Sequence, residues 1–146
     1  MKKELLTKDR KVFIWCLFDW ANSPYPTIIL TFVFSAYFTK LVAEDEISGT
    51  FLWSQTIAFS GLFLAFFAPI LGAISDETGK KKIWIIVFSI LAMLATLSLW
   101  FVLPDKKSIP LALIAIAISL IAFEFSTIFY NATLIQVANS SSIGKI

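Results

Sequence analysis

Two acidic residues and one short polar connection carry most of the chemistry open to this sequence. Asp19 lies in F18-D-W-A-N-S-P-Y-P26 inside one long apolar stretch, and Glu124 lies about 15 residues into another. A carboxylate at the centre of a membrane helix costs about 2.5–3.5 kcal/mol on insertion scales, so it faces other helices or a wet cavity. Asn22, Ser23 and Pro26 follow Asp19 three, four and seven residues on, a spacing that places them on its helix face. Thr127 and Asn131 follow Glu124 in the same way and make a second polar stripe. Asp19, Asn22, Glu124 and Asn131 are therefore candidates for substrate contact or proton coupling. Pro24 and Pro26 lack N–H donors, so the first helix is expected to kink or open and free carbonyls for a cation or solute. The plainer alternative is a proline kink with both acids paired to neighbouring helices for structural reasons.

The polar connection reads G72-A-I-S-D76-E-T-G79-K-K-K82. Gly72 permits close packing, and Gly79 can take the positive φ of a tight reversal. Asp76 can accept bonds from the exposed N–H groups of a helix start. Lys80, Lys81 and Lys82 can pair with Asp76 or with lipid phosphate.

Several kinds of chemistry are unexpected. The sequence has no histidine, and Cys16 is its single cysteine, so an intrachain disulfide and a thiolate metal site are excluded. A histidine-assisted nucleophile is excluded with them. Neither an enzyme, a metal centre nor a cofactor is expected.

Positioning falls to four apolar segments, at about residues 12–39, 51–74, 83–103 and 109–134. Each reaches the roughly 20 residues that an α-helix needs to cross about 30 Å of hydrocarbon. With 58% hydrophobic and 15% charged residues and no strand alternation, the chain reads as all-α. It is a polytopic membrane protein, one membrane domain over residues 1–146 whose environment is the lipid bilayer. The basic residues cluster between apolar runs, which argues for membrane orientation and against nucleic-acid binding. Nine of the 12 basic residues (the N-terminal tail, Lys80–Lys82 and Lys145) fall on one side, against Lys40, Lys106 and Lys107 on the other. Both termini are therefore expected in the cytoplasm. The N-terminus is not expected to be a cleaved signal, because Asp19 interrupts its apolar run.

Small residues also recur at helical spacing. Ser54, Ala58, Gly61, Ala65, Ala68 and Gly72 make one continuous face of the second helix, which reads as a packing face. Ala112, Ala115, Ser119, Ala122 and Ser126 make another on the fourth. Ser89, Thr96 and Ser98 on the third helix are assigned no chemistry, since such hydroxyls commonly bond their own backbone.

The run from Gly72 through Asp76 and Gly79 into the lysines resembles the loop between helices two and three of the major facilitator superfamily, which normally reads G-x-x-x-D-x-x-G-R-[RK]. Asp19-Trp20-Ala21-Asn22-Ser23 before a tyrosine, with Phe129-Tyr130-Asn131-Ala132, resembles the superfamily's vacuole-effluxer branch of autophagy-related amino-acid exporters. The resemblance implies part of the N-terminal half of a twelve-helix secondary transporter for a small solute, amino acids included, in a bacterial inner membrane. It implies that Gly72, Asp76, Gly79, Lys80 and Lys81 form a gating loop that stabilises one access state. Lysine replaces the usual arginine at Lys80, which loses bidentate geometry. It also implies that the small face of the second helix meets the other six-helix half. The chain is thus expected to be truncated and inactive alone, served by a companion chain that carries the missing helices. The alternatives are a four-helix exporter built by self-association and a non-transporting membrane partner.

Overall fold

The computed structural model describes residues 13, 14 and 16–133. The basic N-terminal tail, Lys145 and the expected helix limits at residues 12 and 134 lie outside the described residues. Four helices are long and apolar enough to cross a membrane: α1 (Cys16–Val42), α2 (Glu46–Thr78), α3 (Lys81–Phe101) and α4 (Lys106–Asn131). No strand occurs among the described residues.

Each boundary has a local cause. The Asp45 carboxylate caps α2, accepting from the N–H groups of Ile47 and Ser48 at 2.9 and 3.0 Å. Gly79 ends α2 in the left-handed region at φ 65°, where a side chain would be strained. α2 therefore runs further at both ends than its apolar stretch, to 33 residues or roughly 50 Å, and must project or tilt. Asp105 caps the one-turn start of α4 through the Lys107 N–H, and Pro110 sits in the first turn of the α-helix itself.

α1 does not open at its prolines. It widens instead into π-helix over Tyr25–Phe32, and again over Phe38–Val42. Pro24 and Pro26 offer no N–H to the ordinary ladder, and the following turns take the next carbonyl back. The Val33 N–H accordingly donates to Ile28 O at 2.9 Å, and the Thr31 hydroxyl to Pro26 O at 2.9 Å.

α4 is the central helix. The most apolar window of α4 is 44% buried, against 6% for that of α2. Its small residues Ala112, Ala115, Ser119, Ala122 and Ser126 are all buried, which lets the other helices approach its backbone. Near one end, Phe34, Phe38 and Val42 of α1 pack with Leu99, Val102, Ala112 and Ile116. Trp53 of α2 closes this cluster against Phe38, with ring centroids 5.6 Å apart, and the Tyr37 hydroxyl donates to Val102 O at 2.9 Å. Near the other end, Trp84 and Phe88 of α3 stack on Phe129 of α4.

The α2 cap gives a pH-dependent prediction. Bonds from the Ser48 backbone and hydroxyl hold the Asp45 carboxyl below its ordinary value, with Ile47 and Lys106 acting in the same direction. A lowered folded value means that the cap stabilises fully above about pH 4 and is lost as pH falls through the folded value. In detergent, wild type is expected to lose helicity on acidification more steeply than Asp45→Asn, which keeps an uncharged cap. Circular dichroism against pH checks this, and parallel curves would count against it.

Candidate functional site

Aromatic packing against α4 sets the position of Asp19. Phe18 lies against Tyr130 with centroids 4.6 Å apart, and Tyr25 stacks on Phe123 at 4.6 Å. The Tyr25 hydroxyl and Ser119 Oγ are 2.7 Å apart, and Tyr130 hydrogen-bonds the Asp19 backbone. These contacts fix α1 and leave the Asp19 side chain exposed, on the outside of the bundle. Ser23, Thr27 and Thr31 follow it at four-residue steps and are also exposed. Ser23 donates to Asp19 O at 3.1 Å, and Thr27 to Ser23 O at 3.3 Å. The hydroxyl protons are thus used by the helix itself, while lone pairs stay available outside. The result is a polar column headed by the one acidic residue of α1.

Asn22 does not share that column. It is half-buried, donates to Phe18 O at 3.0 Å and lines a groove between α1, α3 and α4. Glu124 is half-buried on α4 and lies near Tyr25. Thr127 donates to Phe123 O at 3.0 Å, while Asn131 is exposed at the end of α4. Asp19 sits level with Tyr130, six residues along α4 from Glu124, an axial separation of roughly 9 Å. No hydrogen bond or ion pair joins the two acids among the described residues.

The α2–α3 connection is shorter than the sequence suggests. α2 continues to Thr78 and α3 begins at Lys81, leaving Gly79 and Lys80 between them. Gly72 and Asp76 are therefore helical. Asp76 near a helix C-terminus and Lys81 at a helix start are each on the wrong end for the helix dipole. They offset one another: Lys81 Nζ lies 2.6 Å from Asp76 Oδ1. The same ammonium donates to the Ala132 carbonyl at 3.5 Å, one of the carbonyls left open where α4 ends. Lys81 thus ties three helix ends together, while Lys80 is exposed. Lys81→Met is expected to lower stability by about 0.5–1 kcal/mol, measured as a lower Tm in detergent. An unchanged Tm would mean that the tie carries no weight.

The small face of α2 has no partner among the described residues. Ser54, Ala58, Gly61 and Ala65 are exposed, and Ala68 and Gly72 half-buried. A Cβ added at Gly61 or Gly72 would meet nothing within 4 Å. Against α1 and α4, α2 uses instead the neighbouring face that carries Trp53 and Ser60.

Three elements escape a reading by residue type. Tyr25 closes the D-W-A-N-S-P-Y motif, and that position was the available signal for its bond to Ser119. Ser89 bonds across helices to Ser126 at 2.8 Å, whereas Ser98 does bond its own backbone, at Ala95 O. Gly49 is buried where α1 and α2 cross, with nothing in its neighbours to mark it.

No family model matches the chain, and no solved structure matches it. Over 126 residues, 84% of its length, it is 36% identical to the uncharacterized MFS-type transporter YxiO of Bacillus subtilis (strain 168). The chain covers 29% of that relative's length. This similarity supports membership of the major facilitator superfamily, and with the four apolar helices it supports an integral membrane protein.

Proposed function

We propose that the chain supplies four transmembrane helices of a facilitator-superfamily secondary transporter of the vacuole-effluxer type, which moves a small solute such as an amino acid. Asp19 and Glu124 exchange the coupling proton, and Asn22 and Asn131 assist solute contact. Gly72, Asp76, Gly79, Lys80 and Lys81 stabilise one access state. The Cys16 end of α1, the Lys80–Lys82 turn and the end of α4 share the cytoplasmic side of a bacterial plasma membrane. The remaining helices come from a companion chain.

The position of Asp19 carries this reading. It is exposed at the head of a polar column on a membrane helix, where contact with lipid is costly and contact with water or another helix bundle is not. The exposed small face of α2 supports the same conclusion and also favours a second reading, self-association into an exporter. The test is to express the 146-residue chain with and without the part of the Bacillus subtilis relative that lies outside the matched segment. Efflux of labelled amino acids from vesicles under a pH gradient is then measured. Efflux that needs both chains supports the split transporter, and efflux with this chain alone supports self-association. Absence of efflux across the amino-acid panel removes that substrate class.

A further inference from the structure

We infer that the buried hydroxyl of Ser75 works against the Lys81 tie, so that the joined ends of α2, α3 and α4 stand close to parting. This rests on the reading of residues 72–81 as a segment that stabilises one access state, and it names what limits that stability.

α2 touches the rest of the chain lightly. Of its 33 residues only Gly49, Ser60 and Ser75 are buried. They lie about three and about four helical turns apart, which places all three on one side of the helix. Gly49 marks the crossing with α1, and Ser60 faces α4. Ser75 is 1% exposed and sits next to Asp76, the carboxylate that Lys81 holds.

Four serines are buried among the described residues, and three of them have bonded hydroxyls. Ser60 donates to Thr56 O at 2.8 Å, Ser119 donates to Ile116 O at 3.1 Å, and Ser126 pairs with Ser89 at 2.8 Å. Ser75 Oγ has no hydrogen-bond partner among the described residues. Its carbonyl is in use, accepting from the Gly79 N–H at 3.1 Å, so the side chain alone is stranded. A helical serine commonly donates to the carbonyl three or four residues back, as Ser60 does, and Ser75 does not take that bond here.

Magnitudes decide what this does. An orphaned buried hydroxyl disfavours the packed arrangement by roughly five- to 150-fold in an equilibrium constant, because water satisfies the group once the surfaces part. The Lys81–Asp76 pair is open to water on its Asp76 side and favours the packed arrangement by roughly two- to five-fold. The hydroxyl therefore matches or outweighs the tie. Lys81 does not lock the helix ends; it offsets a penalty that parting removes. Ends balanced in this way respond to a small difference in solute affinity between two states.

The test is hydrogen exchange of the 146-residue chain in lipid nanodiscs, read by mass spectrometry on the peptide covering residues 75–84. That peptide holds the Gly79 N–H bonded to Ser75 O and the Ile83 N–H bonded to Lys80 O, and these amides exchange when the helix ends open. Ser75→Ala is expected to slow exchange by about five-fold or more. Lys81→Met is expected to hasten it by about two- to five-fold. Ser75→Cys keeps the modest helix propensity of serine and replaces the hydroxyl with a weak hydrogen-bonding thiol, so it is expected to slow exchange as well. In vesicles that also hold the companion chain, Ser75→Ala is expected to lower efflux by about five-fold or more without lowering Tm. Exchange at or above the wild-type rate in Ser75→Ala overturns the inference and leaves the gating reading intact. Slowing in Ser75→Ala without slowing in Ser75→Cys assigns the effect to helix propensity and also overturns it. Slowed exchange in both variants with wild-type efflux overturns the gating reading of residues 72–81, and the inference with it.

Discussion

Asp19→Asn is expected to abolish pH-driven transport by the assembled transporter while leaving this chain folded and inserted. Asparagine keeps the shape and polarity of the side chain and removes its charge and its proton. Stability is expected to change by no more than about 0.5 kcal/mol, the usual range for a surface substitution. The reason is that the Asp19 side chain is exposed, while α1 is held by Phe18 on Tyr130 and by Tyr25 on Phe123 and Ser119. The loss of transport is expected to be on the order of 100-fold or more, as when a proton-transferring group is removed. The matched experiment on Glu124→Gln asks whether the coupling proton visits both acids. The two are separated by about two helical turns along α4, so direct transfer between them requires water or a movement of α1. Vesicles that hold both chains, driven by an imposed pH gradient, provide the measurement. Full pH-driven transport in both variants would end the coupling assignment, and a fall in Tm that tracks the loss of activity would reduce Asp19 to a structural part.

Gly49→Leu is expected to be the most damaging single change in the described fold. A Cβ at this position would sit 2.7 Å from Ala43 Cβ, 3.0 Å from Thr39 Cα and 3.2 Å from Thr39 O. Two of these neighbours are backbone atoms and the third is a Cβ in the tight turn between α1 and α2, so none can rotate away. Alanine would gain about 1 kcal/mol of helix propensity over glycine. The overlap costs about 1–3 kcal/mol and outweighs it, so Gly49→Ala is expected to destabilise modestly. Leucine adds bulk to the same overlap and is expected to cost about 3 kcal/mol or more. Gly61→Ala is the control, because a Cβ there meets nothing within 4 Å and only the propensity gain remains. It is expected to stabilise by about 0.5–1 kcal/mol. Thermal unfolding of the three variants in detergent decides the matter, and Gly49→Leu with wild-type stability would refute the close crossing.

Four spans and the buried face of α4 were legible because both follow from periodicity and composition. Ala112, Ala115, Ser119, Ala122 and Ser126 recur at helical spacing, and small side chains are what membrane helices use to approach one another. The same logic found the small face of α2 but could not say whether its partner lay within this chain. Gly61 and Gly72 have open space beside them here, while Gly49, which no periodic pattern marks, is the one of the described glycines with no room for a Cβ. A crossing point depends on where two helices meet in space, and a one-dimensional pattern does not contain that. The prolines were legible as a break, but the response of the helix was not: the chain stays helical by widening into π-helix from Tyr25 on, where an opened helix was expected. Asp19 and Asn22 were placed together by three-residue spacing, yet the packing of Phe18 and Tyr25 sends one outward and the other into the groove.

The central place of α4 sets an order of events in time. α4 is the last of the four helices to leave the ribosome, and it is the one against which the others are built. Translation at about 5–20 residues per second puts several seconds between completion of α1 and arrival of α4. During that interval Phe18 and Tyr25 of α1 are without the α4 residues that later hold them. The three earlier helices must therefore persist in the membrane without their α4 contacts, α1 and α2 joined only where they cross at Gly49 and Trp53, and the rest of the packing waits for α4.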